Sequence, residues 1–484
     1  MVLNIFKIID ISFLALALIL LVFFLRKNKK RLKKEGMMYL YKTSWGIKLI
    51  NKIGKRYSKA LHFLSYVSIF LGYILMAGIL YLLGSTAFQY LTKPEIIATI
   101  RAPPIAPIIP YFPELFGLSD FFPPLYAIYF IIAILIVATV HEFSHGIFAR
   151  KWGVRIKTTG FVFLRFFPVV FGAFVEQDDK QMAKKSKFKQ MSILSAGVFA
   201  NIISAIIFFF ALILFFHVAF APSGIAFASY PYTAVDLSKI TEVNGVEVEN
   251  PNLNEILILT NDTGLNRIKS GENGYVIKKE NLESQKDGEK VILYYDAPAI
   301  NMDLERVIVK IDGRDIEEIS DIKEEISKHS PGEKVTLTVL SNDGKDYDRD
   351  IILGKNPEDK NSPWLGIGFS SQENKFVKSE FIHFMNAFRT NNLNFINNTY
   401  YKPLMGDLSG FLYYLIWWVV LINILVGLFN MLPFGILDGG RFFYLTILGL
   451  TKSEKTASIV YRFSGYLILF VLALLMFRWV FSFF

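Results

Sequence analysis

Six runs of apolar residues mark the chain, near 3–25, 61–85, 122–147, 192–221, 410–434 and 457–484. A helix rises about 1.5 Å per residue, so about 20 such residues cross a hydrocarbon core about 30 Å thick. Each run is therefore expected as a membrane-spanning helix. Between 222 and 405 the pattern changes to short stretches in which apolar and polar positions alternate, the period of a half-buried strand. Two of these carry Asn-Gly or Asp-Gly turns, "ITEVNGVEV" (240–248) and "IVKIDGRDI" (308–316). Each is followed by a second similar stretch, "DGEKVILYY" (287–295) and "PGEKVTLTV" (331–339), so the segment reads as two related modules in tandem. "ISDIKEEISKHS" (319–330) is expected as a helix within the second.

Composition and charge place this pattern in a bilayer. Hydrophobic residues make up 53% of the 484, and mean hydropathy is +0.39. The net charge of +10 is concentrated in loops, above all "RKNKKRLKK" (26–34) and "KQMAKKSKFK" (180–189). Positive loops face the cytoplasm, so the N-terminus and the 222–405 insert are expected outside, and the lipid bilayer, not nucleic acid, is the partner implied. The first run lacks a basic start and a small-residue cleavage site and is read as an anchor. With no cysteine, disulfides and thiolate-bound metals are excluded, which leaves His, Asp and Glu as metal ligands.

The third run contains "TVHEFSHGIFAR" (139–150). His141 and His145 stand four residues apart on one helical face, where both imidazoles can reach one zinc ion, with Glu142 placed to contact a water. Polar residues in a helix bundle can also simply bond one another, the bland alternative. A hydrolytic zinc site needs a third ligand. His62, His217, His329, His383 and Glu176 are candidates, but Asp438 is favoured because Pro433 and neighbouring glycines in "NMLPFGILDGG" (430–440) break a helix at membrane depth.

His-Glu-x-x-His in one span and Asn-x-x-Pro-x-x-x-Leu-Asp-Gly in a later one, here Asn430, Pro433, Leu437, Asp438 and Gly439, resembles the site-2 protease family of intramembrane zinc metalloproteases. The resemblance covers roughly residues 122–445. It implies that His141, His145 and Asp438 bind one Zn2+, that Glu142 is the general base, and that Asn430 contacts the substrate backbone. The implied activity is regulated cleavage of transmembrane protein substrates, with the active site toward the cytoplasm. The paired alternating modules resemble PDZ domains, which implies a peptide ligand or a filter against bulky substrates. "SAGVFANIISA" (195–205) resembles the small-residue helix beside the family's site, with Val198 where proline is common. Residues 158–176 resemble a membrane-associated β-hairpin whose edge, Gly172, Ala173, Phe174 and Val175, would pair with an unwound substrate.

The expected fold class is thus an α-helical polytopic membrane protein with an inserted extracytoplasmic α/β tandem PDZ-like region. The expected partition is an anchor and basic loop (1–60), a first membrane part (61–221), two modules (222–297 and 298–372), a connector (373–409) and a second membrane part (410–484). The proline-rich stretch 101–124 reads as a cap, gate or linker, and Asn261 and Asn397 lie in glycosylation sequons. Two rival readings are a catalytically inactive membrane-embedded PDZ scaffold and a metal transporter; the latter is disfavoured because the ionisable residues are too clustered to trace a path across a bilayer.

Overall fold

The computed structural model describes the chain apart from residues 1–4, 94–102, 105, 120, 165–169, 286–287, 342–344, 370–394, 397, 436 and 482–484. His383, the sequon Asn397 and most of the expected connector therefore lie outside the described residues. The chain forms two compact units, one comprising Met1–Phe216 with Asp407–Phe484, the other His217–Gly406.

In the first unit, helices α1 (Ile5–Lys27), α3 (Ser58–Thr92), α4 (Ala127–Lys151), α5 (Lys187–Ala219, whose end enters the second unit), α6 (Asp407–Asn430) and α8 (Glu454–Phe481) correspond to the six apolar runs. All are long and apolar enough to cross a membrane. Two shorter helices, α2 (Ile47–Arg56) and α7 (Asp438–Thr451), accompany them. The run expected over 410–434 stops being helical at Asn430, and α7 restarts the helix at Asp438. Proline at 433 cannot supply an amide to a continuing helix. The return is tight: a Cβ on Gly439 would collide with the backbone of Met431 and Leu432, so only glycine fits there.

The basic loop after α1 is more than a loop. Strands β1 (Leu32–Glu35) and β2 (Met38–Thr43) extend the hairpin β3 (Ile156–Leu164) and β4 (Val170–Gln177) into a sheet ordered β1-β2-β3-β4. The hairpin was expected; its extension was not, because residues 38–43 show no strand alternation of their own and are ordered by pairing with β3. Helix α2 packs on α4, where a Cβ on Gly54 would lie 2.9 Å from the Ile147 carbonyl oxygen and one on Gly146 3.1 Å from Ile50. The core joins Ile50, Phe148, Ile193, Val198, Met431 and Phe442 from five segments.

Helix α1 is mostly exposed along its length, with one buried acid. Asp10, 3% exposed, accepts hydrogen bonds from the Tyr111 hydroxyl (2.5 Å) and from the backbone amides of Ala127 (2.7 Å) and Ile128 (2.9 Å). Those amides open α4, whose own N-cap residue, Tyr126, supplies no side-chain bond. Asp10 thus caps the histidine-bearing helix from another span, satisfying donors that lipid could not. Near the same end, Trp418 of α6 donates to the Pro124 carbonyl, and Phe112 is buried against its ring.

In the second unit, β6 (Tyr232–Asp236), β7 (Ile240–Val243), β8 (Val246–Glu247), β9 (Asn266–Ser270), β10 (Asn273–Ile277) and β11 (Lys290–Tyr295) form one sheet, ordered β6-β11-β10-β9-β7-β8, over Val235, Ile240, Ile268 and Leu293. The other sheet contains β12 (Val307–Ile311), β14 (Lys334–Leu340) and β15 (Asp346–Ile352), with β13 (Arg314–Asp315) beside β12; the helix Ile319–Ser327 lies between β13 and β14 in sequence, as expected. It also includes β5 (Phe220–Ala226), which pairs with β12 on one side and with Thr399–Pro403 on the other. The expected boundary at 297 assigned β5 to the first module. Its Ile225, and Phe227 just beyond, are buried with Ile308, Leu337 and Ile351 of the second, so the first module is inserted between two strands of the second and the arrangement is nested, not tandem. A repeat recognised from its turns cannot reveal a strand supplied from outside it.

Candidate metal centre

His141 and His145 follow one another by one turn on α4 and are 7% and 6% exposed. Asp438 opens α7, directly after the broken helix. The fold brings the three together: Asp438 Oδ2 lies 3.1 Å from Nε2 of each histidine, and the two Nε2 atoms are 3.0 Å apart. Among the described residues this is the one His/Asp/Glu cluster whose ligand atoms gather closely enough to hold a metal ion.

The outer nitrogens decide the tautomers. His145 Nδ1 lies 2.7 Å from the Ile193 carbonyl, which can only accept, so Nδ1 carries a proton and, in the neutral ring that binds a metal, Nε2 presents a lone pair. His141 Nδ1 lies 3.1 Å from the carboxamide of Asn201, a fully buried residue on α5. The Asn201 oxygen otherwise has no partner. Turning that amide, whose O and N are assigned from their bonding, lets Oδ1 accept from His141 Nδ1–H. Both Nε2 atoms and a carboxylate oxygen then point lone pairs at one small volume with no donor between them. Such an arrangement calls for a cation, and separations near 3 Å approach the roughly 3.3 Å between tetrahedral ligands about 2.0 Å from zinc. Gly197, one turn before Asn201 on α5, keeps that volume open: a Cβ there would clash with Nε2 of both histidines.

Glu142 lies beside the pair, and its Oε2 accepts a hydrogen bond from the Val175 amide of β4 at 3.0 Å. Gly172, Ala173, Phe174 and Val175 occupy β4, an edge strand of its sheet, as expected. Asn430 is the last residue of α6 and is partly buried; among the described residues, no hydrogen bond joins it to the histidine pair. The other ligand candidates stand elsewhere. Glu176 accepts from Lys42 and Thr158, His62 packs against Tyr66 and Trp152, and His329 lies in the second unit. Gly197 and Asn201 were missed as individual residues, although their stretch was noted for its small side chains. Their four-residue spacing, matching that of the histidines, was the available signal.

The model of "Peptidase family M50" matches residues 129–472 of this chain, a span that includes both histidines, Asp438 and the whole second unit. The chain is also 30% identical over 174 residues to an uncharacterized protein of Methanocaldococcus jannaschii, a match covering 35% of this chain and 41% of that one.

Proposed function

The chain belongs to peptidase family M50, and from that premise we propose that it is an intramembrane zinc metalloprotease cleaving the transmembrane segments of other membrane proteins. The observation that carries the reading is the convergence of His141, His145 and Asp438 on one buried point at the end of a broken membrane helix. These three residues would hold the zinc. When bound, zinc supplies a Lewis acid that polarises a peptide carbonyl and makes water more acidic. Ile193 and Asn201 fix the two imidazoles so that their free nitrogens face the ion. Glu142 takes the proton of the attacking water and delivers it to the leaving amide nitrogen.

A transmembrane substrate has its amides tied in i to i−4 bonds and must unwind before cleavage. The edge of β4 can receive such a segment as an added strand, and Asn430 offers a carboxamide to its exposed backbone. Basic loops at 26–34 and 180–189 support a cytoplasmic active site, with the sheet-rich insert outside the cell membrane. There the PDZ-like modules would exclude substrates with large outer domains or hold a peptide end. The inactive-scaffold reading has less support, because a scaffold needs neither a complete ligand set nor Glu142. The test is cleavage of a model transmembrane substrate in detergent by the intact chain and by Glu142→Gln: cleavage by the first alone supports the proposal, and equal behaviour of the two contradicts it.

A further inference from the structure

The hydrogen bond between Val175 and Glu142 gives the four expected substrate-contacting residues different roles. Strand β4 lies along α4: a Cβ on Gly172 would sit 3.8 Å from Ala138, and a Cβ on Gly146 would sit 3.0 Å from Val175 Cγ1. In an antiparallel pair, the amide and carbonyl of successive residues point alternately toward the partner strand and away from it. Val175, opposite Thr159 on β3, spends its amide on Glu142 and therefore points away from β3. Two residues earlier, Ala173 lies opposite Phe161 in unbroken register and points its amide and carbonyl the same way. Gly172 and Phe174, opposite Val162 and Gly160, direct theirs into the hairpin.

We propose that the Val175 amide is a positioning group for Glu142, and that Ala173 is the residue through which β4 pairs with substrate. With Oε2 held by Val175, the carboxylate is fixed in orientation and Oε1 is left to face the reacting water. The strand that receives the substrate thereby also aims the base, so the bond presented for cleavage is set by its distance along β4 from Ala173. This inference rests on the proteolytic reading above.

The experiment measures kcat and KM for a model transmembrane substrate cleaved by the full-length chain, with zinc content and thermal unfolding as controls. Val175→Pro removes the amide hydrogen at a position whose amide points away from β3, so no ladder bond to β3 is lost. A second variant replaces only the Val175 amide with a backbone ester, introduced by nonsense suppression, and serves if the proline variant does not fold. Both are expected to lower kcat about tenfold or more, the scale of a lost hydrogen bond to a charged group, with KM within about twofold and zinc retained. Ala173→Pro is expected to do the reverse, raising KM with little change in kcat. A folded, zinc-loaded chain that keeps its kcat without the Val175 amide overturns this inference alone. A chain that holds zinc and cleaves no membrane-embedded substrate overturns the proteolytic reading together with it.

Discussion

Each of the two units contains histidine beside carboxylate, and the two arrangements differ in a way that matters. In the membrane unit, His141, His145 and Asp438 all direct acceptors at one point. In the insert, His329 stands between two acids, with Nε2 3.0 Å from Asp312 and Nδ1 3.1 Å from Glu333. Those carboxylates lie against opposite nitrogens of one ring and cannot share an ion with it. Residue type is the same in both places. Convergence, enforced by Ile193 and Asn201 behind the rings and by the missing Cβ of Gly197 in front, separates a candidate metal centre from an ordinary ion-pair cluster. Asp10 sharpens the contrast, since it is as buried as the histidines but is surrounded by three donors and needs no cation.

The largest effect should follow from breaking the convergence directly. His141→Ala or His145→Ala should lose zinc and reduce cleavage to background, whereas His329→Ala should leave both within about twofold; zinc analysis and a cleavage assay on the same preparations check this. Gly197→Ala comes next. Its methyl group would fill the space before both Nε2 atoms, so zinc occupancy should fall severely while the helix, which favours alanine, keeps its secondary structure by circular dichroism. Asn201→Leu, which keeps bulk and removes the acceptor behind His141, should weaken zinc affinity about 10- to 100-fold in a chelator competition.

Asp10→Ala should cost about 1–2 kcal/mol of thermal stability by uncapping α4, with Asp10→Asn recovering part of it and zinc content unaffected by either. The smallest effect belongs to the insert. Glu333 is held below the ordinary carboxylate range first by the Ser330 amide and then by His329. A depressed carboxylate lends stability above its unfolded pKa and loses it as pH falls through the folded one, so Glu333→Gln should slightly flatten the acid side of the unfolding profile.

Much of this was legible from the chain. The apolar runs specified six helices because lipid accepts little else, and the ends of α4 and α8 fell within a few residues of expectation. His141, His145 and Asp438 were identifiable because ionisable side chains at membrane depth are conspicuous, and Pro433 announced the break that lets Asp438 approach. What stayed hidden was held by partners distant in sequence. Asp10 gives no local sign that it caps a helix more than a hundred residues away, and residues 38–43 become a strand because β3 offers an edge to pair with. Strand β5 looked like the start of the module that follows it, but its buried face matches a core assembled some eighty residues later. Local periodicity reveals elements; the choice of partner depends on the finished surface.

The most direct test of the central claim is X-ray absorption at the zinc edge on the purified full-length chain, with zinc stoichiometry from the same sample. Convergence predicts about one zinc per chain with two imidazole nitrogens and oxygen ligands in its shell, and loss of one nitrogen or of the metal in His145→Ala. Zinc that is absent after metal reconstitution, or bound with a shell unchanged by that substitution, would contradict the account.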